Sequence, residues 1–254
     1  MTAEAANPPC VWITGASSGI GAALARELAA RGCVVAATAR NEGALGDLAD
    51  SVANIHTFAG DITDRAGMAT LVEAIECDLG PIDIAVLNAG IYLPTNFPEF
   101  DAAIFDRSFA VNLGGTVNCL APLVPLMSAR RAGRIAIVSS VAGYGGLPTS
   151  AAYGATKAAL FNLGESLAMD VAEHGVKISM IAPGFVKTPA TDVNTFPMPF
   201  IISAEDAARR IANGLEKGQA HIAFPKRFSF LLRLVNLLPR GVYTRLVGGA
   251  TSRN

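Results

Sequence analysis

Short, unbroken apolar runs alternate along this chain with longer stretches in which apolar residues recur every three or four positions. The runs read as strands and the periodic stretches as helices. Cys10–Thr14 (CVWIT) is a first strand, and a Gly-rich turn leads from it into an amphipathic helix, Ile20 to Arg31, stopped at Gly32. A second strand, Cys33–Thr38, precedes a weaker helix, Asn41–Val52. A third, Ile55–Ala59, precedes a helix through Leu71 and Ile75, and Ile82–Leu87 is the fourth strand. A long helical stretch follows, from about Ala102 to Arg130, which Pro122 and Pro125 should kink or break near its end. Arg134–Ser139 is the fifth strand, and a helix from Tyr153 to His174 leads to the sixth, Lys177–Ile181. Ser203 caps a helix reaching Leu215, with Asp206 three positions on in a capping-box pattern, before a short seventh strand, His221–Phe224.

The strand runs are continuously apolar instead of alternating, the pattern of a parallel sheet covered on both faces. Strict alternation of strand and helix with short loops predicts an α/β fold, a doubly wound Rossmann-type sheet. No repeat, low-complexity linker or composition break divides the chain, so residues 1–254 read as a single domain with 226–254 as a tail. In such a fold, ligands sit beyond the carboxyl ends of the strands, where the strand order reverses. The loops that follow the strands are therefore where chemistry is expected.

Composition narrows the function. Apolar residues make up 51% of the chain and charged residues 16%, with a net charge of -1. That balance gives no electrostatic reason to expect nucleic acid as a partner. The four cysteines, Cys10, Cys33, Cys77 and Cys119, form no CxxC pair and read as buried thiols of a reducing compartment. His56, His174 and His221 are scattered, without metal-ligand spacing. Met1 to Pro9 lacks the basic start and apolar run of a signal peptide. No stretch is expected to reach the roughly 20 apolar residues that span a bilayer. The expected location is the cytoplasm.

The first strand runs into Thr14-Gly15-Ala16-Ser17-Ser18-Gly19-Ile20-Gly21. Glycines here allow a tight turn and close backbone approach to a pyrophosphate, and the helix behind offers free N–H groups and a favourable dipole. At the end of the second strand, Ala39 stands where an NAD-preferring chain usually carries an acid, and Arg40 follows. Arg40 would attract a 2′-phosphate, and Ser17 offers it a hydroxyl, so the expected cofactor is NADP(H). After the third strand, Asp61 can accept from an adenine amino group while Ile62 supports the ring. The alternative is that Asp61 only caps the next helix. After the fourth, Asn88-Ala89-Gly90 lets the backbone pass close to a cofactor, and Asn88 can instead pin neighbouring strands.

Ser139 and Ser140 end the fifth strand, and Tyr153 and Lys157 follow at i, i+4 on one helix face. A free phenol, with a pKa of about 10, is a poor acid–base catalyst near neutrality. A nearby ammonium favours the phenolate, as would an oxidised nicotinamide ring. Such a spacing alone is usually just a solvated face. Its position beside a dinucleotide turn and a strand-end serine gives it weight.

Together these residues resemble the short-chain dehydrogenase/reductases of the compact kind, from Val11 to about Phe224. The resemblance rests on Thr14–Gly21, Asp61, Leu87–Gly90, Asn112 in VNLGG, Ser140, Tyr153-Gly154-Ala155-Thr156-Lys157, and Pro183-Gly184-Phe185-Val186-Lys187-Thr188. It implies a catalytic tetrad of Asn112, Ser140, Tyr153 and Lys157. The family's Ser stands thirteen residues before the Tyr, which selects Ser140 over Ser139. Tyr153 would be general acid or base, and Ser140 would polarise the carbonyl. Lys157 would bond the nicotinamide ribose, and Asn112 would position a relay water. Pro183, Gly184 and Val186 would contact the cofactor, and Thr188 would bond the nicotinamide carboxamide. The resemblance further implies a seven-stranded parallel sheet. It also implies a homodimer or homotetramer paired through the helices Ala102–Arg130 and Tyr153–His174. The apolar Leu160, Phe161, Leu163 and Leu167 of the second helix suit such an interface. Pro122 departs from the family pattern.

The loops around the expected site carry Val141, Ala142, Tyr144, Leu147, Phe196, Pro197, Met198 and Phe200, with no basic cluster for a phosphate or CoA group. A hydrophobic ketone, aldehyde or alcohol is therefore the expected substrate, although several of these side chains would serve packing equally well. The tail from Lys226 to Asn254 has six basic residues and no acidic one, and Ser229, Arg233 and Asn236 share a helix face. It reads as a lid, as packing on a partner subunit, or as a peripheral membrane contact. Packing within the protein or oligomer is favoured. Two other functions compete with a carbonyl reductase: an epimerase or dehydratase, which usually adds a substrate domain, and a non-catalytic NADP-binding scaffold or redox sensor, which predicts a damaged tetrad.

Overall fold

The computed structural model describes residues 8–95, 97–192 and 198–249. Seven strands form one sheet: β1 (Cys10–Thr14), β2 (Val34–Thr38), β3 (Ile55–Thr57), β4 (Ile82–Leu87), β5 (Arg134–Val138), β6 (Lys177–Pro183) and β7 (His221–Phe224). Their order is β3-β2-β1-β4-β5-β6-β7, and all pairings are parallel. The chain winds outward from β1 to β3, then returns to lay β4 on the other side of β1. The carboxyl ends of β1 and β4 thus flank the crevice where successive connections diverge.

The helices are α1 (Gly19–Ala30), α2 (Glu42–Ser51), α3 (Arg65–Leu79), α4 (Ala102–Ser108), α5 (Gly115–Ala129), α6 (Ala151–Asp170), α7 (Ala204–Glu216), α8 (Lys226–Asn236) and α9 (Arg240–Gly249). The two-residue period of β1 divides the core between the sheet faces. Val11 and Ile13 meet Leu24 and Leu28 of α1 and Ile211 of α7. Trp12 points the other way, toward Ile75 of α3, Leu123 and Met127 of α5 and Leu160 of α6. Each such fully buried side chain contributes about 1.5–3 kcal/mol. The buried indole of Trp12 donates to the Thr38 hydroxyl at 2.9 Å, which removes the penalty of an unpaired donor.

Several expectations change in detail. β3 stops at Thr57 and β6 runs on to Pro183, while α6 ends at Asp170 and a separate 3₁₀ turn carries Ala172–His174. The long helix departs from α geometry upstream of its prolines: Phe109–Gly114 form a π-helical turn, and α5 passes through Pro122 and Pro125 as one element. Pro125 is exposed and Pro122 half-buried, while Leu123 and Met127 between and beyond them are locked in the core. Burial of that stripe holds α5 together where the proline nitrogens cannot bond. The helical run Ala102–Ala129 is also long and apolar enough by composition to cross a membrane, contrary to the expectation that no stretch would be. Its apolar stripe is committed to the sheet. Cys77 is exposed, so only Cys10, Cys33 and Cys119 fit the buried-thiol reading. Ser203 caps α7 by accepting from the Asp206 N–H, but the Asp206 carboxylate turns to Arg209, leaving half a capping box.

The segment read as a tail forms α8 and α9. Its stripe of Ser229, Arg233 and Asn236 bonds to Tyr144, with Ser229 buried, Asn236 half-buried and Arg233 exposed. The Ser229 hydroxyl lies 3.2 Å from the Tyr144 hydroxyl, Arg233 donates to that hydroxyl at 3.2 Å, and Asn236 donates to the Tyr144 carbonyl.

Candidate active site

The turn after β1 is built on close approach. Gly15 and Gly19 hold φ of 69° and 54°. A Cβ on Gly15 would lie 2.8 Å from Ala89 Cα, and one on Gly21 would lie 2.1 Å from the Gly15 carbonyl oxygen. Only glycine lets this turn tuck under the start of α1 and against the loop after β4. Ser18, the N-cap residue of α1, makes no side-chain capping bond, so no side chain consumes the first-turn N–H groups. Gly15, Ser17, Ser18, Gly19 and Ile20 all line one cavity of about 1160 Å³. A glycine cradle at an uncapped helix N-terminus fits the pyrophosphate of a dinucleotide.

At the adenosine end, the exposed Arg40 sits 3.7 Å from Asp61, an ion pair open to solvent and worth little by itself. Ala39 is buried, leaving Arg40 as the charged side chain at the end of β2. Asp61 does not cap α3, a job taken by Asp64. Its Oδ1 accepts from both the backbone N–H and the hydroxyl of Thr63 at 2.9 Å. Those bonds, led by the backbone one, hold its pKa below the ordinary carboxylate value. Ile62 lines the cavity, and its carbonyl accepts from Asn118 at 2.9 Å.

Asn88, Ala89 and Gly90 also line the cavity. The Asn88 amide is spent on the Thr14 and Gly15 carbonyls at 3.0 and 3.2 Å. It therefore pins β4 to the glycine turn, the structural alternative raised for it. On the opposite wall, Pro183, Gly184, Val186 and Thr188 follow β6. The Gly184 N–H donates to the Phe224 carbonyl at 2.7 Å, and Val186 forms a parallel bridge with Ile202. The Thr188 methyl would lie 3.0 Å from a Cβ on Gly19, so this loop closes directly over the start of α1.

Ser140, Tyr153 and Lys157 meet deep in the same cavity. The two serines after β5 differ in what their hydroxyls do. Ser139 donates to the Lys157 carbonyl at 2.7 Å and fixes α6 to the sheet. The Ser140 hydroxyl donates to the Pro183 carbonyl at 3.4 Å and accepts from the Ala142 N–H at 3.1 Å. Burial pushes the Tyr153 phenol up to about 12, against a smaller lowering by Ser140. Lys157 is buried, its ammonium donating at 2.8 Å to the Val138 carbonyl, and desolvation brings its pKa down to about 8. The expected depression of the phenol by Lys157 is therefore not the dominant effect in the unliganded site. Tyr153 rests as a protonated phenol, poised as an acid.

Asn112 does not face the cavity. Its amide donates to the Ile91 carbonyl at 3.0 Å and to the Thr156 hydroxyl at 3.1 Å, and its Oδ1 accepts from the Ile91 N–H at 2.8 Å. The π-helical turn presents Asn112 to both partners and ties the loop after β4 to the helix bearing Tyr153. This side chain thus joins the loop after β4 to α6.

The remaining lining is mostly apolar. Val141, Ala142 and Leu147 lie there as expected. Tyr144 does not: it stacks on Phe161 at 5.2 Å and anchors α8. Met198 and Phe200 are outside the lining, and Phe200 packs on Phe228 at 6.1 Å. Phe196 and Pro197 lie outside the described residues. Sequence reasoning missed Tyr92, whose ring meets Tyr153 edge-on at 5.1 Å. It also missed Phe185, Phe228, Leu232 and Val235. The spacing of Phe228, Leu232 and Val235, four and three apart, was the available signal for an inward stripe.

The model of the short chain dehydrogenase family matches residues 9–196. The chain belongs to that family. It is an oxidoreductase of a kind that uses a nicotinamide dinucleotide. An uncharacterized oxidoreductase of Myxococcus xanthus is 34% identical over 91% of this chain and 93% of its own length. Cis-4-hydroxycyclohexanecarboxylate dehydrogenase of Sinomonas cyclohexanicum is 35% identical over 84% of this chain and 86% of its own. The solved structure of ElxO with NADP bound superimposes with a TM-score of 0.77 at 29% identity, covering 85% of this chain and 97% of that one.

Proposed function

We propose that this short-chain dehydrogenase uses NADP(H) to interconvert an apolar ketone or aldehyde and its alcohol. One observation carries the reading: the Ser140 and Tyr153 hydroxyls and the Lys157 ammonium line one cavity together with the apolar Val141, Leu147 and Phe185. When bound, the nicotinamide supplies or accepts the hydride. The chain's own residues hold the carbonyl oxygen and move the proton. Ser140 donates to the oxygen, and Tyr153 gives it a proton in reduction or takes one from the alcohol in oxidation. Lys157, an ammonium at neutral pH, favours negative charge developing on the phenol. Arg40 beside the buried Ala39 supports NADP(H) over NAD(H), and so does the NADP in the ElxO structure. The apolar wall of Val141, Leu147 and Phe185 supports a hydrophobic substrate.

A homo-oligomer formed through α5 and α6 belongs to the same reading. Phe161, Leu163 and Leu167 of α6 are partly buried against the chain's own core. Val117 and Leu126 on α5 and Met169 on α6 remain exposed and support pairing there. The test of function is NADPH absorbance with a panel of apolar, polar and phosphorylated carbonyl compounds. Turnover confined to the apolar members is expected. Tight NADPH binding with no turnover on any member would favour a scaffold and defeat the proposal.

A further inference from the structure

Helix α8 shows three stripes. Phe228, Leu232 and Val235 line the cavity. Ser229, Arg233 and Asn236 fasten the helix to Tyr144 and His221. Phe230, Leu234 and Leu237 point outward and are 68%, 52% and 81% exposed. The side of α8 that a soluble helix would turn to water thus carries large apolar side chains, while Ser229 is buried, Asn236 half-buried and Arg233 exposed at the edge of the packed side. Leu231, Val242 and Leu246 extend the outer surface. Five of the fourteen large exposed hydrophobic residues among the described residues fall within α8 and α9, and Leu237, between the two helices, is a sixth. Two of them, Leu231 and Leu246, also line the cavity, so the exposed patch and the substrate space share a mouth.

A patch of this kind is an interaction surface. Its charge selects the partner. Lys226, Arg227, Arg240 and Arg245 are exposed around it, and no acidic residue occurs from Lys226 to Asn254. Two copies of the chain meeting face to face here would bring both basic sets together without a counter-charge, because a two-fold contact pairs a patch with itself. An anionic lipid surface supplies the counter-charge and accepts the apolar side chains at its headgroup boundary. We propose that α8 and α9 dock this protein on an anionic bilayer, with the cavity mouth facing the lipid. The docking stands on the surface itself. Its corollary, that an apolar carbonyl or alcohol reaches the cavity from the membrane, rests on the function proposed above.

The test is co-sedimentation of the full chain with phosphatidylglycerol-containing vesicles and with pure phosphatidylcholine vesicles. The wild type should bind the anionic vesicles, weakening as salt is added, and should bind the neutral ones far less. Phe230→Ser/Leu234→Ser/Leu237→Ser should reduce anionic binding at least tenfold. Lys226→Gln/Arg227→Gln should reduce it about fivefold for each charge removed. Neither variant touches the cavity lining, so NADPH binding and turnover of a water-soluble carbonyl should stay at wild-type levels. If the triple variant fails to fold, Leu237→Ser and the charge variant read the same partition. Equal binding by wild type and folded variants, or no binding to anionic vesicles, overturns the proposal. So does loss of a concentration-dependent dimer in the variants without any vesicle binding, which would assign the patch to a second copy. The vesicle measurement needs no turnover, so failure of the proposed activity would leave it readable.

Discussion

Lys157 Nζ sits over the face of the Tyr153 ring, 5.5 Å from its centre, while donating to the Val138 carbonyl at 2.8 Å. The ammonium is thus held at the carboxyl end of β5 beside the phenol, in a place where burial opposes its charge. Its pKa falls from 10.5 to about 8. Between those values the unfolded chain keeps a proton that the folded chain has released, so this group makes stability rise with pH across that window. Below about pH 8 both states are charged and the full cost of burying the ammonium, on the order of 3 kcal/mol, is present. Lys157→Met should abolish activity and remove that rise. Denaturant unfolding of both proteins from pH 7 to 10 checks it. The buried thiols Cys10 and Cys119, which also titrate at high pH, are common to both proteins and cancel in the difference. Parallel pH profiles would refute the buried-ammonium account.

Tyr153, pushed up to about 12, is protonated throughout the neutral range. Reduction, which takes its proton, should be insensitive to pH from 6 to about 7.5, whereas oxidation, which needs the phenolate, should accelerate as pH rises. Tyr153→Phe should lower turnover about 10²–10⁴-fold and leave NADPH affinity within a few-fold of wild type. Initial rates in both directions, with NADPH fluorescence titration, decide this. A variant with near-normal turnover would remove Tyr153 from the chemistry.

The two adjacent serines offer an internal control. Ser140 faces the cavity and lowers the pKa of the Tyr153 phenol against the larger effect of burial. Ser139 also borders the cavity, but its hydroxyl is spent on the Lys157 carbonyl at 2.7 Å. Ser140→Ala should cost about 10²–10³-fold in kcat with little change in melting temperature. Ser139→Ala should cost about 1 kcal/mol of stability and only a modest loss in rate. Thermal melts beside steady-state kinetics separate the two. The reverse pattern would move the catalytic assignment to Ser139.

Arg40 and Ala39 test the cofactor reading. Arg40→Ala should raise the KM for NADPH by about tenfold or more, since a charge-assisted contact to phosphate is worth about 1.5–3 kcal/mol. Ala39→Asp should go further and favour NADH, by repelling the 2′-phosphate. The ratio of kcat/KM for the two cofactors is the readout. An unchanged ratio in both variants would mean that the phosphate is held elsewhere.

The strands and the site loops were legible in the sequence because a buried parallel sheet writes its strands as unbroken apolar runs. The glycine turn was legible for a steric reason: no other residue fits where Gly15 and Gly21 stand. What stayed hidden depends on direction and depth. Asn112 in a motif gave no sign that a π-helical turn would point its amide at Ile91 and Thr156. Pro122 and Pro125 suggested a break that the burial of Leu123 and Met127 overrides. The spacing of Tyr153 and Lys157 showed that they share a face, but not that burial would drive both pKa values against the charged form. The polar stripe of α8 was visible, yet its partner Tyr144 is distant in sequence.

That stripe has its own pH dependence. The His221 Nε2 lies 2.6 Å from the Arg233 guanidinium and 3.3 Å from the Tyr144 hydroxyl, and its ring stacks 6.0 Å from Phe161. A neutral imidazole accepts from Arg233, whereas a protonated one would face a second positive charge. Burial first, and Arg233 second, hold its pKa below the ordinary 6.5. Above 6.5 both folded and unfolded chains carry a neutral ring, and the contact is at full strength. As pH falls through and below 6.5 the unfolded chain takes up a proton that the folded one resists, so stability is lost in that range. Amide hydrogen exchange in α8 should therefore quicken at pH 5, after correction for intrinsic rates, relative to pH 7.5. His221→Gln should flatten the response by keeping an uncharged acceptor. An α8 equally protected at both pH values, with the core helices as reference, would show that His221 does not govern its docking.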